Sequence, residues 1–179
     1  MSDQTIRACA RLGVLLAAVV LAASCDPAPD PPRAELIAAT NAYDGGVLIL
    51  VEECTDDPTV EIAIYKINPT LSPPHRELVW EAYAALDVEP TPSNGPREFL
   101  LFEAPLGWSE SVAPEVRALD PSYEYDVWIK TSSADDAVVR ISAEWLSELG
   151  AGEVLTEFSS ETRVVTVGDF EERASKSCR

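Results

Sequence analysis

The stretch LDPSYEYDVWIKT, residues 119–131, decides the fold. From Tyr123 on, two kinds of residue alternate. Tyr123, Tyr125, Val127 and Ile129 share one face; Glu124, Asp126, Trp128 and Lys130 share the other. A period of two is the pattern of a strand with one side on a core and one side toward water. That half-buried strand is the first fixed point.

Working outward, SSADD turns the chain and AVVRIS (Ala137–Ser142) continues with Val139 and Ile141 inward. Upstream, TVEIAIYKI (Thr59–Ile67) places Val60, Ile62 and Ile64 on one face and Glu61 and Ala63 on the other, and Pro69, Pro73 and Pro74 end it. AELIAAT (Ala34–Thr40), VLILVEEC (Val47–Cys54) and EFLLFEA (Glu98–Ala104) read as further strands. ELVWEAYAAL (Glu77–Leu86) fits a strand or a short helix, with Leu78–Tyr83 read as strand. DVEPTPSNGPR (Asp87–Arg97) is loop by its Pro, Asn and Gly content. Pro105–Pro121 has no clear period and reads as a long surface connection carrying Trp108.

After residue 142 the pattern breaks. Ser142 suits the cap of a short helix over Ala143–Leu149, stopped by Gly150. EVLTEF and RVVTV read as two more strands. GDFEERASKSC predicts a helical turn with Asp169 as its cap, Glu172 three residues on, and Phe170, Ala174 and Cys178 on one side.

About seven short strands separated by turn signals predict a mainly β chain folded as a two-sheet β-sandwich. Leu119, Pro121, Tyr125 and Val127 resemble the tyrosine-corner segment of fibronectin type III domains, and Ile62, Tyr65 and Ile67 resemble that family's third strand. The resemblance implies an immunoglobulin/fibronectin type III-like sandwich over residues 34–142. It also implies that the Tyr125 hydroxyl bonds back to an upstream backbone group. That family usually has Trp at the end of its second strand, and Glu52 and Glu53 stand near that place. Residues 143–179 form a C-terminal extension packed on the sandwich.

The N-terminus has three zones. Arg7 and Arg11 precede the apolar run LGVLLAAVVLAA (Leu12–Ala23), and Ser24 and Cys25 follow. The run is too short for a spanning helix, which needs about 20 apolar residues. It suits the core of a secretory signal over residues 1–24. The segment resembles the lipobox of bacterial lipoproteins, which implies a lipid on the sulfur of Cys25, palmitate among its chains, and attachment to the extracytoplasmic face of the cell membrane. The alternative is plain secretion by cleavage near Ser24. Residues 25–33 read as the lipidated cysteine and its tether, since Pro27, Pro29, Pro31 and Pro32 favour an extended spacer.

The chain has 13 basic and 31 acidic residues, a net charge of −18. The leader takes away two basic residues and one acid, so what remains is more acidic still. Such a surface repels nucleic acid and anionic headgroups. Membrane attachment must then come from the lipid. Of the four cysteines, Cys54 and Cys178 remain once the leader is lost and Cys25 is acylated. In an exported chain they suggest one disulfide; two buried free thiols are the alternative.

No catalytic, metal or cofactor constellation is legible. His75 is the single histidine, in the proline-rich LSPPHRE. GWSES (Gly107–Ser111) lacks the last glycine of a G-x-S-x-G elbow. EECTDD and the pair Asp135–Asp136 match no calcium loop. The expectation is a non-enzymatic binding or adaptor protein of the cell envelope. Its contact surface is Asp87–Arg97 with Pro105–Ala118, Trp108 is the candidate contact, and another envelope protein is a candidate partner. The alternative is an envelope hydrolase or carbohydrate-active enzyme using paired carboxylates.

Overall fold

The computed structural model describes residues 37–42, 45–53, 58–85, 97–113, 117–132, 136–158 and 161–177. The expected leader, Cys25, the tether, Cys54 and Cys178 lie outside the described residues.

The chain is the expected mainly β sandwich. The first half supplies β1 (Ile37–Asn41), β2 (Val47–Val51), β3 (Thr59–Asn68), β4 (His75–Ala84), β5 (Arg97–Leu100) and β6 (Trp108–Val112). The second half supplies β7 (Glu124–Thr131), β8 (Asp136–Ile141), α1 (Ala143–Ser147), β9 (Glu153–Phe158), β10 (Glu161–Thr166) and α2 (Val167–Ser177). One sheet runs β10-β9-β1-β2-β5, the other β6-β4-β3-β7-β8, and the pairings within each are antiparallel.

Alternation in β7 builds the core between the sheets. Tyr125, Val127 and Ile129 point in and are buried, flanked by Ile62 and Ile64 of β3 and by Val139 and Ile141 of β8, with Trp80 and Ala82 of β4 beyond the β3 pair. Val60 departs from the expected face. The pairing of β3 with β7 slips between Thr59 and Glu61, and this bulge leaves Val60 half-exposed. A second slip, against β4, leaves Val79 of β4 as the extra residue between the pairs Ile64–Trp80 and Tyr65–Leu78; Tyr65 packs edge-on against the Trp128 ring, 6.2 Å between centroids.

β1 and β2 do not alternate. Ile37, Ala38 and Ala39 are consecutively buried, as are Ile49, Leu50 and Val51. Such runs need cover on both faces. Helix α2 packs on β9 and β10, and its Phe170 and Ala174 belong to the same buried cluster as Ala38 and Leu50. Full burial of one such aromatic contributes about 1.5–3 kcal/mol. The helix starts earlier than the sequence suggests. Thr166, not Asp169, is the cap: its Oγ1 accepts from the Asp169 N–H at 3.1 Å and donates to Asp169 Oδ2 at 2.8 Å. At α1 the expected cap holds, with Ser142 Oγ accepting from the Trp145 N–H.

The turn before β7 is pinned as its resemblance implies. The Asp120 N–H donates to the Tyr125 hydroxyl at 2.9 Å, while Asp120 Oδ1 accepts from Ser122 N–H. The Tyr125 ring meets Phe102 edge-on at 6.3 Å. Tyr125→Phe keeps the ring and leaves the Asp120 N–H without that acceptor. It should lower stability by about 1–2 kcal/mol and the melting temperature by about 2–4 °C for each kcal/mol. An unchanged melting curve would contradict the pin.

Candidate binding cleft

The connection from β5 to β6 crosses from one sheet to the other, and its course sets one side of a cleft. Phe102 sits at φ 65°, uncommon for a bulky residue, and is 2% exposed. Its carbonyl accepts from Arg117 Nη1 at 2.7 Å. The other arm of Arg117 bonds both oxygens of Glu110 at 3.1 and 3.2 Å, and Glu110 Oε1 accepts from the buried Trp80 Nε1 at 3.2 Å. One guanidinium thus ties the crossover to edge strand β6 and, through it, to the core.

The crossover ends in a tight turn. The Trp108 N–H bonds the Pro105 carbonyl at 3.0 Å, and Gly107 holds φ 85° at the third position. That position needs positive φ, which glycine adopts without steric cost. Leu106 at the second position is thrown fully into solvent. The sequence reading of this region as a connection without strand is corrected. Trp108–Val112 pairs with β4, placing Trp108 opposite Ala84 and Glu110 opposite Ala82. Apolar periodicity cannot find such a strand, because an edge strand with exposed Ser109, Glu110 and Ser111 has no buried face to repeat.

Trp108 is half-buried and lines a cleft of about 840 Å³. β2 ends there and β3, β5 and β6 begin there. Val51, Ile62, Phe99 and Trp108 give it an apolar wall, with Tyr83 and Leu106 at the rim. Its size is that of a small-molecule site. Of the expected contact surface, Pro105–Trp108 and Arg97 line it, while residues 86–96 lie outside the described residues.

Glu53 was missed as a site residue. Its side chain is 10% exposed; Oε2 is held by Arg97 Nε at 2.8 Å, and among the described residues nothing donates to the buried Oε1. An unsatisfied buried acceptor costs about 1–3 kcal/mol. Nearby, Lys130 stands 3.9 Å from Glu61, and Glu98 adds a third carboxylate. Two acids closing the apolar run VLILV were the available signal. Glu52 faces away from the cleft; burial, then the charge of Glu171 in α2, pushes its carboxyl up.

The single histidine, His75, opens β4 in an exposed position away from the cleft. Among the described residues, no three His, Cys, Asp or Glu side chains gather as a metal site.

A second polar cluster lies on the outer face of β7. Asp126 is 1% exposed although alternation turns it outward, because Arg140 closes on it at 2.7 Å and Arg76 at 2.9 Å. Arg76 also lies 5.8 Å from the Trp128 ring centre. Glu157 of β9 adjoins this group. Burial first, then the Asp126 charge, raises its pKa, and Arg140 and Arg76 only partly offset them. No protein family, curated protein or solved structure matches the chain.

The raised Glu157 carries a pH signature. The folded chain holds that proton more tightly than the unfolded chain, so the contribution is complete below the ordinary carboxylate pKa. It is lost as pH rises through the raised folded value. At neutral pH the charged Glu157 is a cost, and Glu157→Gln should raise the melting temperature at pH 7. That gain should vanish at acid pH. A variant melting at or below the parent at pH 7 would contradict the assignment.

Proposed function

We propose that the chain is a non-enzymatic binding protein, moored outside the cell by lipid on Cys25 and working through the cleft at one end of its sandwich. The cleft carries this reading. It joins apolar walls, the ring of Trp108 and a solvent-exposed Leu106 at its rim. The lipobox-like seam and the proline-rich tether support the mooring, since dual acylation holds where a single chain binds only marginally. The strong net negative charge supports it too, by leaving no basic surface to hold headgroups. Among the described residues no helix is long and apolar enough to cross a membrane.

A Cys54–Cys178 disulfide belongs to the same proposal. It would tie the segment after β2 to the end of α2. The hydrolase reading has less support, because the carboxyls pushed up among the described residues, Glu52 and Glu157, do not line the cleft.

Intact mass of the chain from its membrane fraction should show loss of residues 1–24 and a diacylglycerol adduct on Cys25. An unmodified full-length chain would overturn the mooring. For the cleft, Leu106→Ser is a cleaner probe than truncation of the half-buried Trp108. It should leave stability within about 0.5 kcal/mol, as exposed substitutions do. Whole-cell cross-linking from the cleft rim should then recover its neighbour several-fold less. Undiminished recovery would overturn the role of the cleft.

A further inference from the structure

We infer that the cleft takes one acyl chain of a lipid from the bilayer to which the protein is moored. This rests on the proposed mooring and on reading the cleft as a binding site, and it names the class of ligand. The first ground is where the chain enters the sandwich. β1 begins at Ile37, which pairs with Val51, and Val51 pairs with Arg97 on the next strand. Val51 and Arg97 both line the cleft. Residues 25–36 therefore join the sandwich at its cleft end. A segment of that length reaches at most roughly 40 Å even fully extended. Lipid on Cys25 would hold the cleft end, rather than the far end, next to the bilayer.

The lining is the second ground. Among the described residues four large apolar side chains stand exposed, and two of them, Leu106 and Tyr83, line this cleft. Val51, Ile62, Phe99 and Trp108 continue the apolar surface inward. Such surface is unfavourable in water in proportion to its area, and an acyl chain covers it without needing a polar partner. The charged lining residues argue the same way. Arg97 is held by Glu53 at 2.8 Å, and Lys130 stands 3.9 Å from Glu61. Both cations already have a carboxylate, and Glu98 adds a further negative charge. A phosphate or a free fatty-acid carboxylate meets no cation to receive it there. The lipid head stays outside, and the chain alone enters.

Brominated phosphatidylcholine tests this, because bromine quenches a tryptophan that it touches. The lipidated chain, extracted from its membranes, is placed in nanodiscs whose acyl chains carry bromine near either the methyl end or the ester end. Methyl-end bromine should quench at least as strongly as ester-end bromine, and Trp108→Phe should remove more than half of the quenching. Quenching by ester-end bromine alone would mean surface contact only and would overturn the inference. So would no quenching, or quenching unchanged in Trp108→Phe. The comparison of bromine positions needs only the wild-type chain, so it stands even if that variant fails to fold. Absent quenching with cross-linking still lost in Leu106→Ser would assign the cleft to a protein neighbour, or to a second copy if the cross-links join like chains. Undiminished cross-linking from Leu106→Ser would separately overturn the cleft, and an unmodified Cys25 the mooring.

Discussion

The hold of Arg117 on the Phe102 carbonyl and on Glu110 is what fastens the crossover between the two sheets beside the cleft. A sandwich needs a segment that leaves one sheet and joins the other, and such a segment has few ladder bonds of its own. Here it turns through a left-handed Phe102 buried against Tyr125. Arg117 satisfies the carbonyl that this turn strands, and Glu110 passes the hold to Trp80 in the core. That chain fastens the crossover from behind, while Pro105–Trp108 is held in front by its own turn bond and by the pairing of Trp108 with Ala84.

Burial explains the rest of the architecture with little else. β7 and β8 alternate because their outer face meets water, apart from the patch where Arg76 and Arg140 cover Asp126; in β3, Ala63 is buried between Ile62 and Ile64 as well. β1 and β2 do not alternate because α2 and its neighbours add a third layer. The continuous apolar runs IAA and VLILV were therefore a statement about cover on two faces.

How much of this was legible follows from the same physics. The strands around Tyr125 were readable because period-two burial repeats along the chain, and the pinned turn was readable from Leu119, Pro121 and Tyr125 together. β6 was hidden because an exposed edge strand buries too little to leave a period. Thr166 was passed over as a cap because it also ends β10, so strand and helix signals overlap on one residue. Val60 was misplaced by a bulge, which inserts a residue without any mark in composition. In the cleft, Trp108 was found as a candidate from its type alone. Glu53 was visible only as an acid at the end of a branched apolar strand, and its burial is a tertiary fact.

If binding occurs at the cleft end and not on the outer faces, the backbone should report it. Amide shifts of the mature chain, recorded while an extract of the native envelope is added, should be confined to the ends of β2, β5 and β6, around Val51, Phe99 and Trp108. Shifts centred on Trp128 or on the exposed edge around Val164, with the cleft silent, would place binding elsewhere.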